Sequence, residues 1–381
     1  MRSVAMVLGL ILIVSVLFEA FETMLLPRRV TRAIRMTRLF YNTSWKLWAT
    51  MAGWIGSAHR RSSVLSYFGP LSLLVLLCLW ALALILGFAL VQWASGAILR
   101  GVVEPPAGFG HYAYFSGVTF FTLGYGDITP EGSLARALAV LETGIGFGFL
   151  ALVIGYLPVL YQAFSKREVT INLFDARAGS PPTAGTLLAR NARYGNLELL
   201  TQFLAEWERW AAELLESHIS FPVLIFYRSQ HDNQSWLAAL TAILDASALV
   251  MAGVPGAART QAYLTFAMAR HVAVDLSQVV LARPVEPPED RLSPDRLRLL
   301  RARLRESGLE LAEGALAENR LTEFRAMYEP FVQALSDRFL MPLPPIVTQG
   351  DPVDNWQTSA WMRRARGIGQ LRAAEPGDDH A

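Results

Sequence analysis

Charged residues are absent from Ser62 to Leu99, a run of 38 positions, and about 20 apolar residues suffice to cross the hydrocarbon core of a bilayer. The run predicts one spanning helix with interfacial ends. Gly69-Pro70 marks its entry, because proline fits a first helical turn, and Trp93 sits where an interfacial aromatic would. A second span is predicted from Leu134 to Gln162, interrupted by Arg136 and Glu142, and a third from Val4 to Leu26. Residues 39–58 are apolar enough to suggest a fourth. A span there would carry His59-Arg60-Arg61 across the membrane and invert everything downstream, so they are expected at the interface. Past Lys166 the apolar positions recur at helical spacing over 184–193, 196–217, 235–253, 257–281, 294–315 and 320–338. Val169 to Phe174 reads as a short strand, residues 179–183 as a turn and Val285 to Pro288 as a linker. Ser293-Pro294 is a capped helix start. From Leu343 the chain turns aperiodic and rich in Pro, Gly and Asp, the pattern of a flexible tail.

Composition agrees with a membrane chain. Of the 381 residues 17% are charged, against about 25% in soluble domains, and mean hydropathy is +0.32. Residues 1–165 carry 11 Lys/Arg and 6 Asp/Glu, whereas 166–381 carry 23 and 26, so the second half reads as soluble. The single cysteine, Cys78, excludes an intramolecular disulfide and a cysteine-based zinc site.

The N-terminal span has one arginine before it and no small-residue cleavage site after it, which favours a retained anchor over a signal peptide. It is followed by six basic residues, Arg28, Arg29, Arg32, Arg35, Arg38 and Lys46. Basic loops stay cytoplasmic, so the N-terminus is expected outside and the soluble half inside, at the cell (inner) membrane. The basic excess serves orientation; it is no nucleic-acid patch. Arginine at every third position from Arg29 to Arg38 has the spacing of a voltage sensor. A sensor needs neighbouring helices with counter-charges, and one span precedes it. The segment is therefore expected as an amphipathic helix on anionic inner-leaflet lipids, with Trp45, Trp48 and Trp54 as anchors. Glu22 is expected to pair with Arg28 or Arg29; Glu19, deeper, needs a partner in another helix.

Between the second and third charge-poor stretches lies Tyr112-Ala-Tyr-Phe-Ser-Gly-Val-Thr-Phe-Phe-Thr-Leu-Gly-Tyr-Gly-Asp127. The stretch Thr122-Leu123-Gly124-Tyr125-Gly126-Asp127 is similar to the filter signature of potassium channels. Residues 64–165 resemble the span, pore helix, filter and span of the bacterial members. The resemblance implies an all-α membrane protein: a potassium-channel pore module, an N-terminal transmembrane helix and a mostly helical cytoplasmic domain. The divisions expected are an N-terminal helix (1–26), a basic interfacial linker (27–63), the pore domain (64–165), the cytoplasmic domain (166–342) and the tail (343–381). A potassium ion entering a narrow pore loses its water, which backbone carbonyls must replace. Here those of Thr122, Leu123, Gly124 and Tyr125, with the Thr122 hydroxyl, would do so, and Gly124 and Gly126 permit the unusual backbone angles. Leu123 stands where valine or isoleucine is commoner, but its carbonyl contributes regardless of side chain. One such loop cannot enclose an ion, so a homotetramer in the bilayer is implied.

The resemblance extends to neighbouring positions. Tyr114 and Phe115 match the aromatic pair around the filter. Val118 replaces the glutamate that pairs with the filter aspartate in some members, so Tyr114 is expected to donate to Asp127 instead. Glu142, a carboxylate inside a span, either lines the ion cavity or sits behind the pore helix as a strut. Gly144 matches the family's hinge glycine, and Gly155 and Pro158 lie where a bend would form a gate. Close packing is the equal alternative for the glycines Gly144, Gly146 and Gly148.

The soluble half lacks G-x-G-x-x-G and EF-hand patterns, so its ligand, if any, has no name from sequence. Its candidates are a His271/Asp275 pair with His218 or His231, the basic run Arg291, Arg296, Arg298, Arg301, Arg303 and Arg305, and the polar-aromatic segment from Glu216 to Gln234. No nucleophile–base pair is evident, so no enzyme is expected, no cofactor, and no metal beyond permeant potassium. The expected function is passive potassium conduction, with the cytoplasmic half regulating it. The alternatives are a weakly selective cation channel, or a membrane-anchored signalling module with a vestigial pore.

Overall fold

The computed structural model describes residues 1–26, 35–102, 107–193, 197–231, 233–254, 256, 258–350 and 354–357. The chain is an all-α membrane protein apart from one small ribbon, and it divides into two units. The first comprises Met1–Trp48 and Tyr67–Gln162, the second Ala49–Ser66 and Ala163–Ala381.

In the first unit, α1 (Arg2–Ala20) packs along α4 (Phe68–Ser95). Gly9 and Gly87 bring the two backbones together: a Cβ on Gly9 would stand 2.7 Å from the Gly87 carbonyl oxygen. Such close approach is how helices associate in lipid, where apolar burial against a neighbour gains little over lipid itself. Gly96, at the far end of α4, lies near Arg2, so the two helices run antiparallel. The end of α1 passes into a π-turn, Phe21–Leu25.

Glu19, buried at 1% exposure, holds the next helix, α2 (Met36–Gly53). Its carboxylate accepts from the Met36 and Thr37 amides, both at 3.2 Å, and from the Thr37 hydroxyl at 2.6 Å. Those first-turn amides have no partner within their own helix, and their positive end favours an anion. The partner of Glu19 is thus a helix start. Glu22 forms its ion pair with Arg35, at 3.7 Å; Arg28, Arg29 and Arg32 lie outside the described residues. Trp45 and Trp48 pack on Phe68, while Trp54 is exposed. The short helix α3 (Ala58–Ser66) follows.

Strand β1 (Ile98–Arg100) follows α4, then α5 (Phe109–Phe120), and β2 (Thr129–Glu131) pairs back antiparallel to β1. The last element of the unit begins α6 (Ser133–Ala178), one helix of 46 residues with Pro158 inside it. The strand expected at Val169–Phe174 is therefore helix. The reason is tertiary: Arg167, Glu168, Ile171, Phe174, Asp175 and Ala178 are buried at three-to-four spacing, and this outweighs the short β-branched run.

The second unit is helical: α7 (Ala184–Arg193), α8 (Leu197–Ser220), α9 (Trp236–Gly253), α10 (Ala258–Val279), α11 (Pro294–Glu306), α12 (Ala315–Ala326) and α13 (Glu329–Phe339). Helix α9 is long and apolar enough to cross a membrane, yet 89% of its apolar stretch is buried by the unit's other helices. It forms the core. Two expected helices end differently. Ser307-Gly308 stops α11, with Gly308 at φ +88°, a conformation glycine adopts without strain. The stretch 320–338 is two helices, broken at Met327-Tyr328 ahead of Pro330.

The flexible tail expected from Leu343 meets packed residues at its start. Ile346, Val347, Asp354 and Asn355 are buried, the Ile346 carbonyl accepts from Gly185, and Arg190 binds Asp354 at 2.7 Å. Residues 351–353 and 358–381 lie outside the described residues. Arg291, the first residue of the basic run, has its side chain mostly buried: it pairs with Asp245 at 2.5 Å and Glu329 at 3.3 Å.

Candidate functional site

The site is built on the stretch between α5 and β2. Helix α5 ends by handing two amides back to its last turn, Thr122 to Thr119 at 3.1 Å and Leu123 to Val118 at 2.9 Å. Beyond this the chain leaves regular structure. Thr122, Gly124 and Gly126 take φ of 56°, 61° and 75°, whereas Leu123 and Tyr125 stay at negative φ. Alternate left-handed residues turn successive peptide planes the same way, unlike a β-strand, where they alternate. Among the described residues no hydrogen bond reaches the carbonyls of Thr122, Leu123, Gly124 or Tyr125. Backbone carbonyls are otherwise almost always paired when they leave water, and irregular backbone at membrane depth is tolerated only where it lines a cavity.

The surroundings hold this stretch from two sides. The Tyr114 hydroxyl donates to the Asp127 carboxylate at 2.8 Å. Phe115, on the other side of α5, is buried with Ala89, Leu99 and Tyr112.

Glu142 is fully buried behind α5. The Gln92 side-chain amide donates to it at 3.1 Å, and it is hydrogen-bonded to the Ser116 hydroxyl. The Ser116 hydroxyl also lies 2.7 Å from the Ile85 carbonyl, so its single hydrogen is shared between the two acceptors. The carboxylate thus ties α4, α5 and α6 together, the strut geometry, and does not face a cavity. Its partners escaped the sequence reading, although Gln92 is a polar residue in an otherwise apolar span and so a usable signal.

The glycines of α6 separate into two kinds. Gly146 is packed: a Cβ there would stand 2.1 Å from the Phe120 carbonyl oxygen. Gly144, Gly148 and Gly155 have nothing within 4 Å of that position. Pro158 lies one turn beyond Gly155.

In the second unit the sequence candidates do not converge. His271 pairs with Asp275 at 3.2 Å, and no group of three metal-binding side chains occurs among the described residues. His218 is buried; its Nδ1 donates to the Leu214 carbonyl at 2.8 Å and its Nε2 accepts from Arg167 at 3.3 Å. Burial, with the Arg167 charge adding to it, pushes the imidazole down to about 3, so it is neutral. The five arginines of α11 are engaged within the unit: Arg296 with the Asp290 carbonyl, Arg298 with Asp295, Arg301 with Glu318, Arg305 with Glu313, and Arg303 with Thr348.

Comparison with known proteins falls on the same stretch. Residues 75–162 match the family model described as ion channel. That window runs from α4 through the glycine-rich segment to the middle of α6. An uncharacterized membrane protein of Bacillus subtilis (strain 168), YdjJ, is 26% identical over 212 residues, 54% of this chain. The chain spans 61% of the length of that relative. No solved structure matches. The match supports an ion channel and gives no support to an enzyme.

Proposed function

We propose that this chain conducts potassium passively through a filter of backbone carbonyls assembled from four copies. The observation that carries the reading is the backbone of Thr122 to Asp127: left-handed at every second residue from Thr122 to Gly126, with four carbonyls that accept no hydrogen bond among the described residues. Such a row offers a dehydrated cation oxygen in place of water. Thr122, Leu123, Gly124 and Tyr125 supply the oxygens, Gly126 permits the turn out, and Asp127 stands at the mouth. Tyr114, Phe115 and Glu142 act as supports, and Gly144, Gly155 and Pro158 as hinge and gate.

One loop per chain provides a quarter of such a ring, hence the homotetramer. Exposure supports it: in the apolar stretch of α6, 11% of residues are buried within the chain, against 50% for the helix that includes α4. The antiparallel packing of α1 on α4 supports one orientation. In this reading the N-terminus lies outside, and the basic segment after α1 and the second unit are cytoplasmic, at a cell (inner) membrane. There Arg38 and Lys46 would meet anionic lipid, and the second unit would regulate opening. Potassium is the permeant ion and no cofactor is needed.

The test is flux from liposomes holding the purified full chain, with potassium and sodium compared. A clear preference for potassium is expected. Equal permeabilities would replace the reading with a weakly selective cation channel, and absence of any flux with a non-conducting membrane module.

A further inference from the structure

Free carbonyls give the segment Thr122–Asp127 no hydrogen-bond ladder of its own, so its shape is set by what holds its two ends. The inner end is held by the last turn of α5. The outer end is held by chain that comes before α5. Strand β1 pairs with β2 in the register Ile98 to Glu131, Leu99 to Pro130 and Arg100 to Thr129. Immediately after β1, Gly101 lies flat against the segment's end: at φ +89°, a Cβ there would stand 1.9 Å from the Asp127 carbonyl oxygen and 3.5 Å from the Ile128 Cα. This face is itself fixed from below. Leu99 is buried with Ala89, Tyr112 and Phe115, with Ile128 packed against them, and the Tyr112 hydroxyl donates to the Ala97 carbonyl at 2.7 Å. Arg100 and Glu131 close the ribbon at the surface, 2.6 Å apart.

We propose that the β1–β2 ribbon is a brace for the outer end of the filter, and that Gly101 is a positioning residue for conduction, acting through the Asp127 peptide; the inference rests on the channel reading above. Contacts below 3.0 Å do not form, so any side chain at 101 displaces the Asp127 carbonyl by about 1 Å or more. That peptide, Asp127 to Ile128, is separated from the Tyr125 carbonyl by the Gly126 peptide alone, and its displacement is passed through Gly126 to the Tyr125 and Gly124 carbonyls, where ion spacing is decided. Asp127 is thus held twice, by its carboxylate through Tyr114 and by its backbone through Gly101. Neither strand of the ribbon carries a local sequence signal, since each is three residues long.

The neighbouring glycine provides the control. Gly132 has the same φ of +89° at the end of the same ribbon, but a Cβ there meets nothing within 4 Å. Gly132→Ala therefore imposes the backbone strain without the collision. The full chain and its Gly101→Ala, Gly132→Ala and Tyr112→Phe variants are to be compared in liposomes for potassium flux, potassium-to-sodium permeability ratio and cross-linked oligomer size. Gly101→Ala is expected to form the wild-type oligomer and to lose flux or permeability ratio by at least about tenfold, with Gly132→Ala within about twofold. Gly101→Ala behaving like Gly132→Ala would overturn the brace. If Gly101→Ala does not assemble, Tyr112→Phe decides, since it loosens the ribbon by one hydrogen bond. A lowered permeability ratio in an intact oligomer supports the brace, and a wild-type ratio overturns it. Absence of flux in the unmodified chain would instead overturn the channel reading itself.

Discussion

Helices α6 and α9 contain stretches of comparable apolar character, and the two units use them in opposite ways. The α9 stretch is 89% buried inside its own unit, whereas the α6 stretch is 11% buried. Hydrophobicity alone therefore does not decide whether a helix meets lipid, another chain or its own domain. The number of neighbours the same chain provides decides that, and α9 has α7, α8, α10, α12 and α13 around it. The buried carboxylates repeat the contrast. Asp245 of α9 is matched by the Arg291 cation and the Tyr328 hydroxyl, a closed arrangement. Glu142 of α6 is held by the neutral Ser116 and Gln92, and the carbonyls from Thr122 to Tyr125 have no partner among the described residues. The second unit covers its apolar core helix by itself, whereas the first leaves the apolar stretch of α6 largely uncovered within the chain.

Four measurements would break or sharpen this contrast. Gly124→Asp puts a charge and a Cβ into the carbonyl row at φ +61° and is expected to silence potassium flux in liposomes. Because the second unit closes on itself, its unfolding in denaturant should be unchanged, and a shifted transition would show that the units are not independent. Asp245→Ala leaves Arg291 buried without its main counter-charge. It should cost about 3–5 kcal/mol of second-unit stability by denaturant titration, and a loss below about 1 kcal/mol would mean that water reaches that core.

The third concerns pH. His218 is held down to about 3 by burial and Arg167, while an unfolded histidine titrates near pH 6.5. Below about pH 6.5 the unfolded chain therefore takes up a proton that the folded chain refuses until about pH 3. Stability contributed by this residue falls as pH falls, by up to about 1.4 kcal/mol per pH unit. His218→Gln should flatten that part of the profile, and an unaltered slope would assign it to other groups. The smallest effect is expected for Tyr114→Phe, which removes one partly exposed hydrogen bond to Asp127. About 1 kcal/mol of filter support should appear as a several-fold faster decline of flux, with oligomer size unchanged.

Much of the architecture was legible in the chain because it rests on local pattern. Charge-poor runs located α1, α4 and the first part of α6, and apolar periodicity located α7 to α10 within a few residues. Thr122 to Asp127 stood out through its resemblance to a filter signature, with glycine at two of its three positions of positive φ. What failed depended on distant partners. Val169–Phe174 reads as strand until the burial of Ile171 and Phe174 is known. Arg291 reads as surface until Asp245 arrives from 46 residues away. The carboxylate of Glu19 capping α2, and Gly101 pressed on Asp127, join segments whose own sequences say nothing of each other.

The sequence by itself determined which stretches are long and apolar enough to cross a membrane and where the segment of alternating glycines lies. Those properties follow from transfer free energy and from allowed φ, both of which act on a residue and its near neighbours. The tertiary structure alone decided which apolar helix is covered, which acid is paired and with what, and that Gly101 lies against the Asp127 carbonyl. Those are matters of contact between positions far apart in the chain, and a contact acquires its energy only once folding has brought both partners together.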